Sequence, residues 1–220
     1  MNWRLIYDQL PNLGEGALYT LGTTFVALLA GNILGLVAAI MRLSRFPWLN
    51  RPASAYVAAF RGTPMLVQIL VFYNGIIPSL GFTRAPAIYA GLIALSLNSG
   101  AYMCEIFRGG IQSIDKGQVE AALSLGLTKT QAMRYVVLPQ ALANAMPAIG
   151  NEFITLIKDS SLVSVISVAE LTYRANLVAA RNWEYNTMYL AIAGMYFVMT
   201  FTTSKVLGYL EGRLRAGYAK

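Results

Sequence analysis

Five runs of apolar sequence constrain this chain more than any other feature. They fall at about 18–41, 53–77, 85–107, 140–168 and 186–210, each about 23 residues or longer. A helix rises about 1.5 Å per residue, so roughly 20 residues cross the hydrocarbon of a bilayer. Lipid offers no partner to an unpaired strand edge, so such spans are helices. Charge content agrees: 12% of the 220 residues are charged and 56% hydrophobic, where soluble domains run near 25% charged. Mean hydropathy is +0.52. The expectation is an all-α integral membrane protein, one domain over 1–220 with five transmembrane helices.

Two spans carry internal marks. The first contains Gly31 and Gly35 as a GxxxG, a spacing that lets another helix approach closely. The second is interrupted by Arg61-Gly62-Thr63-Pro64, where proline removes a backbone donor. Met1–Asn12 carries too short a pattern to insist on a surface helix. Met1–Gly16 has no apolar h-region or small-residue cleavage site, so no cleaved signal peptide is read there.

Basic residues set the expected orientation. With the N-terminus outside, the inner segments hold Arg42, Arg45, Arg51, Arg108, Lys116, Lys129, Arg134, Lys205, Arg213, Arg215 and Lys220. The outer ones hold only Arg4, Arg84, Arg174 and Arg181. The topology is N-out/C-in, and it accounts for the net charge of +7 without nucleic-acid binding. Trp3, Trp48, Trp183 and Tyr185 fall at the expected interfaces, where amphipathic rings prefer to sit.

Composition also removes chemistries. The chain has no histidine and one cysteine, Cys104. Imidazole bases, histidine metal sites, Ser-His and Cys-His triads and an internal disulfide are excluded. No GxxxxGK[ST] phosphate loop is present, so no nucleotide cofactor is expected in this chain, and no catalytic or metal residue is assigned.

The segment between spans three and four, about 108–139, reads as two short cytoplasmic helices set at an angle. Glu120-Ala121-Ala122 starts a helical pattern and Gly126 stops it, as a C-terminal glycine does by accepting a left-handed backbone. Thr128 and Gln131 form a capping-box pattern for a second helix running to Leu138-Pro139.

The spacing from Glu120-Ala121-Ala122 through Gly126 to Val136 and Leu138-Pro139 resembles the EAA loop of bacterial ABC importer permeases, with Val136 where the family usually has Ile. Phe60-Arg61-Gly62-Thr63-Pro64, Arg108-Gly109-Gly110-Ile111, Gly117-Gln118 and Lys158-Asp159-Ser160-Ser161-Leu162 resemble the polar amino acid branch (histidine, arginine, glutamine, glutamate and opine uptake). The resemblance implies a type I ABC importer fold in the bacterial inner membrane. It also implies an ATPase partner carrying ATP and magnesium, a second permease copy or homologue, and an extracytoplasmic substrate-binding protein. Glu120, Ala121, Gly126 and Pro139 would couple the ATPase to the spans. An ion-coupled secondary carrier or a small channel is the alternative, although neither inverted repeats nor extra spans are seen.

Ionisable groups inside spans cost at least about 2.5–3.5 kcal/mol and point to function. Arg61 is expected on one helical face with Gln68, seven residues on. Glu152, Thr155 and Asp159 form a stripe in span four, and Asn98 and Tyr102 another polar face in span three. The expected substrate cavity has Arg61 with Thr63 on an α-carboxylate, because guanidinium pairs bidentately. Glu152 and Asp159 would take an ammonium or cationic side chain, and Asn98 and Gln68 would supply neutral hydrogen bonds. Glu105 and Arg108 read as a local i,i+3 pair.

Overall fold

The structure is a computed structural model that describes residues 1–218, with side chains to Arg213. Two of the basic residues placed inside, Arg215 and Lys220, lie outside the residues described to the side chain. All regular structure in the described residues is helical, without a strand. Helix α1 covers Trp3–Leu43, α2 Pro47–Arg61 and α3 Met65–Val71. A π-helical turn, Phe72–Ile76, leads to α4, Ile77–Ser79. Then come α5, Ala87–Gln112; α6, Lys116–Ser124; α7, Lys129–Ala132; and a second π-helical turn, Met133–Val137. Helix α8 is Leu138–Asp159, a 3₁₀ turn spans Ser160–Ile166, α9 is Leu171–Asn182 and α10 Tyr185–Tyr218.

Among the described residues three helices are long and apolar enough to cross a membrane: Trp3–Leu43, Ala87–Gln112 and Tyr185–Arg213. The pair Pro47–Arg61 and Met65–Ser79, bent by 108°, supplies one further crossing if it counts as one span. Helix α5 is the central post, packed along α1 and α8. The GxxxG explains why α1 comes so close. A Cβ on Gly31 would stand 2.9 Å from the Ser99 Cβ, and one on Gly35 2.9 Å from both the Cys104 nitrogen and the Gly100 oxygen. Among the described residues three apolar clusters fill the interior. One joins Ala27, Ile69, Ala94, Leu95, Leu156 and Val163; another Leu13, Leu171, Ala175 and Met188; the third Ala38, Val57, Ala101 and Cys104. Large apolar side chains such as Ile33, Ile40, Phe197 and Val198 cover the outside of α1 and α10, the surface expected of helices whose solvent is lipid.

Several boundaries differ from the sequence expectation. Met1–Asn12 is no separate surface element: from Trp3 it is continuous with the first span, because Pro11 is accommodated inside the helix. The fourth apolar run does not stay α-helical to 168. Ser160 and Ser161 donate to the carbonyls of Ile157 and Lys158, both at 2.7 Å, and such back-bonding competes with the helical ladder. Helix α6 starts at Lys116 rather than Glu120 because Asp115 caps it, accepting from the Gly117 nitrogen at 2.8 Å. The helix begun by Thr128 does not stop at Pro139 but runs through the π turn into α8. Both π turns end two residues before a proline, Pro78 and Pro139. The missing proline N–H leaves a carbonyl without its usual partner, and the wider turn absorbs it.

Candidate functional site

The site is built around the break between α2 and α3. In an unbroken helix the Phe60 carbonyl would accept from the nitrogen four residues on, which is Pro64 and carries no hydrogen. Gln68 Nε2 fills that gap, donating to the Phe60 carbonyl at 2.8 Å, the Thr63 carbonyl at 3.0 Å and Thr63 Oγ1 at 2.9 Å. Asn98 of α5 adds Nδ2 to the Phe60 carbonyl at 3.3 Å and to Gln68 Oε1 at 3.0 Å. The Thr63 hydroxyl donates to the Ala59 carbonyl at 2.8 Å, so it offers a ligand a lone pair rather than a proton. Because of the bend, Arg61 and Gln68 do not share a helical face, which corrects the sequence reading.

Helix α5 orders the rest. Asn98, Tyr102 and Glu105 stand at i, i+4 and i+7, one stripe facing the break. The Arg61 guanidinium lies over the Tyr102 ring, 5.2 Å from its centroid. Arg61 Nη1 is 3.7 Å from Glu105 Oε1, and its side chain is 43% exposed. Glu105 is more than half of a local pair. It bonds Arg42 of α1, and Arg108 donates Nε to it at 2.9 Å. Three guanidinium groups thus share one carboxylate, and Arg61 is the one outside hydrogen-bond distance.

Glu152 of α8 is buried, with the Ser99 side chain of α5 beside its carboxyl. The Ser99 hydroxyl has no hydrogen-bond partner of good geometry. Among the described residues neither Glu152 nor Asp159 has a basic partner within 4.0 Å. Asp159 is half-buried at the end of α8, and Lys158 beside it is exposed.

The 108–139 segment carries its own geometry. Gly126 has φ +86, and the nitrogens of Gly126 and Leu127 close on the carbonyls of Leu123 and Ala122, the Schellman ending expected of that glycine. Thr128 and Gln131 form the capping box. Glu120, Ala121 and Gly126 are exposed, Leu125 is 81% exposed, and Pro139 is half-buried at the start of α8.

Sequence reading missed a second junction, at the opposite end. Glu170 is fully buried. It caps α9 by accepting from the Tyr173 nitrogen at 2.8 Å, and it accepts from the hydroxyls of Tyr196 at 2.8 Å and Thr20 at 3.3 Å. Burial pushes its carboxyl above the ordinary glutamate value, while the hydrogen bonds from Thr172, Tyr173, Tyr196 and Thr20 pull the other way. Nearby, Arg174 reaches Glu15 and Asn12 Oδ1 at 2.8 and 2.9 Å, tying α9 to α1. The available signal was a lone acid just ahead of an amphipathic segment, the position of an N-cap.

Residues 31–216 match the family described as binding-protein-dependent transport system inner membrane component. The chain is 37% identical to the glutamine transport system permease protein GlnP of Escherichia coli (strain K12), over 97% of this chain and 98% of that one. It is 39% identical to the arginine transport system permease protein ArtQ of Bacillus subtilis (strain 168), over 94% of each chain. Its fold matches the crystal structure of an amino acid ABC transporter with histidines at a TM-score of 0.92 and 45% identity, covering 97% of this chain and 99% of that one.

Proposed function

The chain belongs to the binding-protein-dependent inner membrane transport components, and we propose on that basis how its residues move a polar amino acid across the membrane. It is a permease of the amino acid ABC importers, a transport component of the inner membrane. That membership removes the ion-coupled carrier and the small channel as readings.

In our reading the protein crosses the membrane five times, N-out/C-in. The bent pair α2–α4 forms the second span and α8 with its 3₁₀ turn the fourth. Helices α6 and α7 lie on the cytoplasmic face, where Glu120, Ala121, Gly126 and Pro139 engage a separate ATPase that binds ATP and magnesium. A second permease, copy or homologue, completes a pathway on a two-fold or pseudo-two-fold axis. A substrate-binding protein docks on the outer side, where α9 sits. ATP binding closes the ATPases and turns the cavity outward; hydrolysis and release turn it inward.

The substrate path runs along the α5 stripe. Arg61 takes the α-carboxylate, and Glu152 with Asp159 takes the ammonium or a cationic side chain. Thr63 contributes a lone pair. The observation that carries this reading is Arg61 itself: it is positioned by Tyr102 and Glu105 yet left with free donors at a broken helix. Broken helices line transporter sites because unpaired backbone is tolerated beside a cavity. Relatives named for glutamine and for arginine are about equally similar to this chain, so identity does not choose the substrate. Two carboxylates in the path lean toward basic amino acids. The test is uptake by reconstituted complexes carrying Glu152→Gln: arginine and lysine uptake falls more than glutamine uptake. Equal losses for all three would make Glu152 structural.

A further inference from the structure

We infer that the buried amide pair Gln68 and Asn98 is a positioning clamp for Arg61 and Thr63, not a pair of substrate ligands. The inference rests on the reading that Arg61 takes the carboxylate, and deepens it.

The geometry follows from proline chemistry. Pro64 leaves the Phe60 carbonyl without its helical donor, next to Arg61 in the chain. A buried carbonyl in that state is costly unless another donor reaches it. Gln68 comes from the far side of the break and Asn98 from α5, and both reach that oxygen, at 2.8 and 3.3 Å. They also bond each other at 3.0 Å. Gln68 further holds the carbonyl and hydroxyl of Thr63. Every N–H of both amides is therefore committed, and both residues are buried, at 6% and 7% exposure. A substrate acceptor would have to displace an intramolecular bond to gain a proton from either amide nitrogen. Their effect is on the bend: they fix where α2 ends relative to α3 and α5. That sets where the Arg61 guanidinium meets Tyr102 and Glu105.

A clamp and a ligand differ in what a substitution does to different substrates. Gln68→Met keeps the volume and removes the donors. In proteoliposomes containing the permease with its ATPase and binding protein, uptake of arginine and glutamine is measured for Gln68→Met, Arg61→Ala and the double variant. A clamp predicts the same loss for both substrates, roughly ten- to hundredfold, as small misplacements of a positioned group produce. The double variant is then no worse than Arg61→Ala alone. Exchanging the amides, Gln68→Asn with Asn98→Gln, restores most of the uptake because the bridge is rebuilt from the other side. A loss confined to one substrate, or a Gln68→Met effect that multiplies with Arg61→Ala, would overturn the clamp. No loss in Arg61→Ala itself would overturn the carboxylate reading instead. Co-purification with the ATPase checks folding. If Gln68→Met fails to assemble, Asn98→Asp, which removes two of the same donors, takes its place: an equal loss for both substrates that does not multiply with Arg61→Ala supports the clamp, and a loss confined to one substrate overturns it.

Discussion

Arg61 and Glu105 face each other at 3.7 Å, just beyond hydrogen-bond reach, because Glu105 is already bonded by Arg42 and Arg108. The arrangement holds a guanidinium in place without neutralising it. Its guanidinium carbon lies over the Tyr102 ring, 5.2 Å from the centroid, and its donors remain open to an incoming anion.

Lysine cannot replicate that arrangement, since it lacks the planar fork and stacks poorly. Arg61→Lys is expected to lose nearly as much transport as Arg61→Ala, about 1.5–3 kcal/mol or roughly ten- to hundredfold in initial uptake rate. An Arg61→Lys variant above about half the wild-type rate would show that a point charge suffices.

The contact between α1 and α5 depends on absent side chains. A Cβ on Gly35 would meet backbone atoms of Gly100 and Cys104 at 2.9 Å, atoms that cannot rotate away, while a Cβ on Gly14 would meet nothing within 4 Å. Gly35→Ala is expected to destabilise the protein by about 1–3 kcal/mol, seen as a lower Tm in detergent. Gly14→Ala, in the same helix, is neutral or slightly stabilising. Equal Tm values for the two would mean that the α1–α5 approach is looser than the structure has it.

Much of this fold is legible in the sequence because lipid leaves few options. The interruption at Arg61-Gly62-Thr63-Pro64, the GxxxG approach, the left-handed Gly126 and the Thr128–Gln131 box all follow from local backbone chemistry, and the structure has each of them. What periodicity cannot reveal is what lies across the fold. Gln68 and Asn98 read as cavity donors on separate helices, and their shared partner, the Phe60 carbonyl, comes into view only in the fold. Glu105 looks like a mere neighbour of Arg108 because Arg42 is 63 positions away in sequence. Glu170 escapes notice for the same reason: Thr20 and Tyr196 come from opposite ends of the chain. The bend itself hides one error, since helical spacing cannot be counted through a proline break.

Glu170 should make the junction of α9 with α1 and α10 sensitive to pH. Its carboxyl is raised above the ordinary glutamate value, so the folded state favours the proton. The resulting contribution to stability is complete below the ordinary value and is lost as pH rises through the raised one. Thermal unfolding from about pH 5 to about pH 8 should therefore show a fall in the wild type that is smaller in Glu170→Gln. Glutamine keeps an acceptor for the Tyr173 nitrogen and cannot ionise. Parallel curves for the two proteins would remove Glu170 as the cause.

In our reading this chain is the membrane half of an ATP-driven amino acid importer, coupled through the Glu120–Pro139 segment. The most direct test is ATP hydrolysis in proteoliposomes holding the chain with its co-purifying ATPase and binding protein, with arginine, lysine, histidine, glutamine and glutamate added in turn. A Gly126→Val variant serves as the uncoupled control, because a β-branched residue strongly resists the positive φ found there. The expected result is stimulation by one class of amino acid, lost in the Gly126→Val complex. An ATPase that never co-purifies, or hydrolysis that ignores every amino acid, would contradict it.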